Sequence, residues 1–315
     1  MSRGFKDRLT YKATPIQVSV PASAANLGPG FDALGLALEL RDIYVAQILD
    51  DEVFDVDVTG EGADEIKKDG KHLVIKAMMA GFEFMGGKPR GIALRALNSI
   101  PHGRGLGSSA AAIVGGLSLA RGLVLSGNTL MTDDDLIALA TDMEGHPDNA
   151  APAVFGGFTA AGFVGSEVRC IRVPLPSQIR LVTLIPHFEV STPEARKRVP
   201  QTFSKADTIH ILNRASLVTA AFTTGRLENL RGCFDDRIHQ PYRAALIPGM
   251  DAILAAGVKA GAIGGWLSGS GSTLMCLALD NPEAIATAMQ RKMPKAAVHI
   301  LKPDNAGLKV SLKKG

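Results

Sequence analysis

Three segments of this chain place glycine, hydroxyl and carboxylate or carboxamide groups at spacings that suit phosphate and polar-ligand chemistry. The most informative reads Pro101-His102-Gly103-Arg104-Gly105-Leu106-Gly107-Ser108-Ser109-Ala110-Ala111. Its glycines let backbone N–H groups converge on one concavity, and the last glycine directly precedes a helical pattern of small residues. The free N–H groups and dipole of a helix start attract an anion. Ser108 and Ser109 add hydroxyls able to bind a phosphate oxygen or Mg²⁺. No Gly-Lys-Ser/Thr follows, which excludes a Walker A loop. A dinucleotide fingerprint is excluded as well, because its third glycine is missing. Alone, the segment is either a phosphate loop or a glycine turn with Ser108 as an ordinary N-cap.

The second segment, 18–32, sets Asn26 and Asp32 around a sharp turn just past a strand end. The third, 266–273, is a strand-turn-strand whose backbone could approach a ligand closely. Around them, hydrophobic spacing predicts strands over 17–20 (stopped by Pro21), 34–40, 42–49, 54–58 and 91–97. Helices are expected over 71–85 and 108–125, and from Thr132, where Asp135 three residues on signals a cap, to about Met143. A Gly-rich apolar stretch covers 154–163. Pro174 and Pro176 interrupt the pattern, and the domain boundary is placed there. Beyond it come a strand (180–185), helices (205–223, 227–233, 240–246, 250–256), strands (262–267, 273–279), a helix (282–292) and a strand (297–301).

Composition narrows the class. With 315 residues and 46% hydrophobic content, the chain can bury the core of two domains or one large one. Its 34 basic against 31 acidic residues and 5% aromatics argue against a nucleic-acid partner. The most apolar stretch, 110–125, contains Arg121 and is shorter than the ~20 residues that cross a bilayer, so no membrane partner is expected. Arg3, Lys6, Arg8 and Lys12 surround no apolar run, so the start does not read as a secretory signal. Cys170, Cys233 and Cys276 form no metal spacing and read as reduced thiols of a cytoplasmic protein.

Taken in order, the three glycine segments resemble the three motifs of the GHMP kinases, and further segments resemble the homoserine kinase branch of that family. These are 21–38, 144–149, 191–196 and 239–243. The resemblance implies an α+β GHMP kinase fold: an N-terminal domain like domain 2 of ribosomal protein S5 (14–172) and a C-terminal ferredoxin-like domain (173–315). It also implies ATP along Pro101–Ala111 and Mg²⁺ on Glu144 with a loop serine, Ser108 or Ser109. Asp148 falls where relatives place an aspartate often assigned as base, flanked by His146 and Asn149. Arg196 and Arg243 are implied to hold a substrate carboxylate, Asp32 an ammonium and Asn26 a hydroxyl. Thr192 would lie near the transferred phosphoryl group.

A zwitterionic amino alcohol such as L-homoserine needs one cationic and one anionic element. A sugar would need neither, and two buried arginines would be costly for it. The implied reaction is phosphorylation of L-homoserine to O-phospho-L-homoserine, a step of threonine biosynthesis, by a homodimer. The alternatives are a mevalonate-type kinase of the same family, or a non-catalytic relative that senses its ligands.

Overall fold

The first strand runs further than its proline suggests. In the computed structural model, which describes residues 9–312, β1 (Ile16–Ala25) continues through Pro21. Arg3, Lys6 and Arg8 lie outside the described residues. β1 pairs antiparallel with β2 (Leu34–Leu49), and the register shifts between Pro21 and Ala22. A bulge is where a strand can absorb a residue lacking an N–H, so the strand expected to stop at Pro21 does not. Likewise β2 is one strand of 16 residues rather than two.

β3 (Phe54–Gly60), α1 (Leu73–Phe84), β4 (Gly91–Asn98) and α2 (Ser108–Leu123) lie where the hydrophobic spacing predicts them. α3 (Gly127–Leu130) is a single turn leading to α4 (Asp133–Glu144). α4 opens with a full capping box, in which the Thr132 side chain accepts from the Asp135 N–H and Asp135 Oδ2 accepts from the Thr132 N–H. Thr132→Ala should therefore lower unfolding free energy by about 1 kcal/mol, read from urea titration.

α5 (Pro147–Phe155) is not among the expected helices, and its sequence holds two prolines. Pro147 sits at the helix start, where no N–H donor is required. Pro152 is internal and leaves the Asp148 carbonyl without its helical donor. Gly35 of β2 lies against that carbonyl: a Cβ there would come within 2.0 Å of it. The close approach seats the irregular helix on the sheet at Asp148.

β5 (Phe158–Val164) and β6 (Glu167–Val173) form a hairpin, and β5 also pairs with β2. After the prolines come β7 (Arg180–Ile185), α6 (Thr192–Lys197), α7 (Lys205–Thr224), α8 (Gln240–Arg243) and α9 (Met250–Lys259). They are followed by β8 (Gly264–Leu267), β9 (Leu274–Ala278), α10 (Pro282–Gln290), β10 (Ala297–Leu301) and β11 (Lys309–Leu312). Residues expected as helix over 227–233 form a short 3₁₀ turn, Leu227–Leu230.

Two sheets result. The first has order β11-β1-β2-β4-β3 with the β5–β6 hairpin attached, and only β3–β4 is parallel. The second is antiparallel, order β10-β7-β9-β8, the fourth-first-third-second arrangement of a split β-α-β unit. β11 carries the chain back from the second sheet to β1 of the first, across the division expected at Pro174. Phe158 of β5 stacks on Phe222 of α7 and so joins the second half to the first core, in which Phe234 and Trp266, stacked on each other, are also buried. Among the described residues no helix is long and apolar enough to cross a membrane.

Candidate active site

The three glycine segments meet in one cleft. Gly103, Gly105 and Gly107 all have positive φ, and Gly107 is the N-cap of α2, with no side chain capping it. The α2 N-terminus therefore opens towards the cleft, and Ser108 is its first residue rather than its cap. Gly103, Gly105, Gly107, Ser108 and Ser109 line the cleft. The other loop residues hold the loop from behind. Leu106 is buried and its carbonyl accepts from the Ser23 N–H. Arg104 donates to the His187 carbonyl at 2.9 Å and pairs with Glu189. The His102 ring is 3.3 Å from Asn98 Nδ2. Pro101 leads in from β4, and Ala110 and Ala111 pack inside α2.

The third segment braces this loop. Ser268 Oγ donates to the Gly105 carbonyl at 2.6 Å, and the Thr273 N–H donates to the Arg104 carbonyl at 3.0 Å. Gly105 has φ +78°, and a Cβ on it would lie 2.2 Å from the Ser268 carbonyl oxygen. Both features disfavour any side chain. Gly105→Ala should raise KM for ATP by about tenfold or more, because the loop must leave its brace. Initial rates at varied ATP test this, with circular dichroism to verify folding.

The first segment supplies the cleft's other wall. Asn26 Oδ1 accepts from the Asp32 N–H at 3.0 Å, and its Nδ2 donates to the Gly269 carbonyl at 3.1 Å. Asn26 thus ties the first motif to the third as well as facing the cleft. Asp32 takes a two-pronged ion pair from Arg196, at 2.7 and 3.0 Å. The expected carboxylate clamp and ammonium site are therefore joined to each other, and that bond raises the Arg196 pKa despite burial.

Arg243 is different. It is 1% exposed and lines the cleft, yet no carboxylate pairs with it among the described residues. Its partners are neutral: the carbonyls of Ala195 and Gly269 and His239 Nδ1. Burial, with the Arg196 charge adding to it, pulls its pKa down to about 10, still well above neutral pH. Phe31 lies under both guanidinium groups, 5.7 Å from Arg196 and 5.2 Å from Arg243. One aromatic ring thus lies within cation–π distance of both cations.

At the N-terminus of α5, His146 Nδ1 is 2.5 Å from Asp148 Oδ1. Burial alone would lower the His146 pKa, but the Asp148 hydrogen bond and charge outweigh it, and the net shift is upward. Asn149 Oδ1 accepts from Ser23 Oγ at 2.9 Å. Thr192 opens α6, and its hydroxyl accepts from Ser270 Oγ at 3.2 Å.

Glu144 ends α4 and accepts from Ser109 Oγ at 3.0 Å. Burial raises its pKa, which the Ser109 bond only partly offsets. A carboxylate beside a hydroxyl at a helix start is a hard-oxygen donor pair that suits Mg²⁺. Ligand atoms of Asp32, His146 and Asp148 form a second cluster, within 4.8 Å of one another.

Sequence reasoning missed Phe31, His239 and Ser23 as cleft builders, although all three lie in segments it singled out. The three cysteines are unpaired, and burial pushes Cys276 up to about 12 and Cys170 to about 11.

Residues 72–157 match the model of the GHMP kinases N terminal domain, and 219–295 that of the GHMP kinases C terminal. The chain belongs to the GHMP kinase family. Its relatives include the homoserine kinase of Streptomyces coelicolor, 40% identical over 88% of this chain and 90% of that one. The homoserine kinase of Carboxydothermus hydrogenoformans is 41% identical over 87% of this chain and 88% of its own. A homoserine kinase crystal structure from Cytophaga hutchinsonii superposes with a TM-score of 0.84 at 27% identity, covering 96% of this chain and all of that one. A mevalonate kinase shares the fold at 16% identity, TM-score 0.65. This GHMP kinase therefore uses ATP, and the helix-start cradle of its glycine loop is the structure that such a triphosphate requires.

Proposed function

We propose that this kinase transfers the γ-phosphoryl group of ATP to the side-chain hydroxyl of L-homoserine, giving ADP and O-phospho-L-homoserine. The observation that carries the substrate half is Arg243: a buried guanidinium facing the cleft with only neutral partners. It supplies the cation that an amino-acid carboxylate needs, and Arg196 stands beside it over Phe31. Asp32 supplies the opposite charge. An ionised carboxylate has about four acceptor sites, so the two N–H groups of Arg196 leave room for an ammonium.

The loop amides and the α2 N-terminus hold the β- and γ-phosphates, with Ser108 beside them. Glu144 and Ser109 would hold Mg²⁺, which when bound neutralises charge on the phosphate oxygens. Phosphoryl transfer runs through a loose transition state, so positioning and charge neutralisation supply most of the acceleration. Thr192, which accepts from Ser270, offers its hydroxyl to the moving group. Asn26, Asn149 and His146 orient the acceptor, and Asp148 receives the hydroxyl proton as the new O–P bond forms.

The thiols suit a reducing cytoplasm. A homodimer would cover Phe163, Val164 and Ile171, each 59–69% exposed on the β5–β6 hairpin.

An ADP-release assay with Mg·ATP and L-homoserine, D-homoserine, mevalonate or galactose tests the reading. We expect turnover confined largely to L-homoserine. Preferential turnover of mevalonate or galactose would overturn the substrate, and ATP binding without turnover of any acceptor would favour a ligand sensor.

A further inference from the structure

His239 lies behind the cleft, fully buried, and its contacts join two of the segments that build the site. Its Nε2 is 2.8 Å from the Gly28 carbonyl and 3.4 Å from Asp236 Oδ2, and its Nδ1 is 3.2 Å from Arg243 Nη1. The ring stacks on Phe31, centroids 5.2 Å apart and planes 18° from parallel. Burial lowers its pKa, the Arg243 charge adds to that and Asp236 opposes it.

The partners of a neutral imidazole fix its tautomer. Carbonyls accept only and guanidinium groups donate only. Nε2 therefore carries the hydrogen and donates to Gly28, and Nδ1 offers its lone pair to Arg243. Asp236 anchors the ring's backbone by accepting from the N–H groups of Ile238, His239 and Gln240, at 2.9, 2.9 and 2.7 Å.

We propose that His239 is a positioning residue, which aims the Arg243 guanidinium at the acceptor's carboxylate. The proposal rests on the reading that Arg243 meets that carboxylate. Three neutral acceptors fix the plane of the Arg243 fork: Ala195 O on Nε, and Gly269 O and His239 Nδ1 on Nη1. Nη2 takes no hydrogen bond among the described residues, so where it points is decided by the other two nitrogens. Of the three acceptors only His239 is a side chain. It therefore couples Arg243 on α8 to Gly28 of the first motif, and to Phe31 on which both cations rest.

Two variants separate its two bonds. In His239→Asn, Oδ1 takes the place of Nδ1 and still accepts from Arg243, but the Gly28 bond is lost. In His239→Gln the amide reaches the Nε2 position and still donates to Gly28, but the Arg243 acceptor is lost. We expect KM for L-homoserine to rise about tenfold or more in His239→Gln and less than about threefold in His239→Asn. KM for ATP should stay unchanged in both, and melting curves should show both folded.

The comparison is then repeated with 3-aminopropan-1-ol, which is homoserine without its carboxylate. There the two variants should have equal kcat/KM. Equal effects of the variants on the L-homoserine KM, or a His239→Gln defect that persists on 3-aminopropan-1-ol, overturn the proposal. Unmodified enzyme that uses 3-aminopropan-1-ol as efficiently as L-homoserine overturns the carboxylate reading itself, and the proposal with it.

Discussion

Arg243→Leu should raise KM for L-homoserine by about 10²-fold while leaving KM for ATP and the melting temperature close to those of the parent enzyme. A hydrogen bond to a charged group contributes about 1.5–3 kcal/mol, which spans roughly ten- to two-hundred-fold in affinity. The guanidinium is 1% exposed, and no carboxylate among the described residues pairs with it, although the charges of Asp32, Asp236 and Asp148 favour its cationic form from further off. Holding that charge out of water costs the fold stability, which neutral carbonyls only partly offset. Leucine removes both the charge and its desolvation cost, so stability need not fall with binding. The Gly269 carbonyl keeps Asn26 as a donor after the change. Arg243→Lys should fall between, since it keeps the charge but loses the fork that binds a carboxylate in two places. Initial rates at varied homoserine and varied ATP, with thermal melts of both variants, provide the test. An unchanged homoserine KM in Arg243→Leu would remove the substrate carboxylate from this part of the cleft.

Most of the segments that build the cleft were legible because clustered glycines mark them, whereas proline misled at Pro21 and Pro152. The loop Gly103–Gly107 needed positive φ at alternate positions, and only glycine makes that cheap. The capping box at Thr132 and the strands over 180–185 and 297–301 likewise declare themselves by local rules. Elements that depend on distant partners stayed hidden. α5 looks like a loop because Pro152 breaks its ladder, and its helix lies on the sheet where Gly35 of β2 leaves room for the Asp148 carbonyl. β11 is short and exposed, and only the open edge of β1 makes it a strand.

The site residues divide in the same way. The motif resemblance, rather than residue type, marked Arg196, Arg243 and Asp32 as the charged groups of the site. Which arginine would be tied to Asp32, and which left with neutral partners, depends on the meeting of α6, α8 and the first motif. His239 and Phe31 sit in segments that the motif reading already marked, but a buried histidine and a phenylalanine are usually packing residues. What sets them apart is that they stack on each other and that two guanidinium groups lie over Phe31.

Asp148→Asn should lower kcat by about 10²-fold or more, with KM for both substrates within about threefold of the parent, as expected for loss of a proton acceptor used only in the transition state. Asp148 is 1% exposed, on the first turn of α5, and His146 occupies its Oδ1. Oδ2 takes no hydrogen bond among the described residues, so it can receive the acceptor's proton. Asparagine keeps the shape and loses that capacity. The same substitution should carry a stability signature of definite sign. Asp148 raises the His146 pKa in the folded protein, so the stabilisation it lends the protonated imidazole is fully present below the unfolded histidine value, near 6.5. That stabilisation is lost as pH rises through the folded value. The gap in urea midpoint between parent and Asp148→Asn should therefore be larger at about pH 5.5 than at about pH 8.5. A kcat within about threefold of the parent would leave Asp148 an orienting partner of His146 and assign the proton to solvent. A stability gap that grows with pH would mean that the two side chains do not form an ion pair.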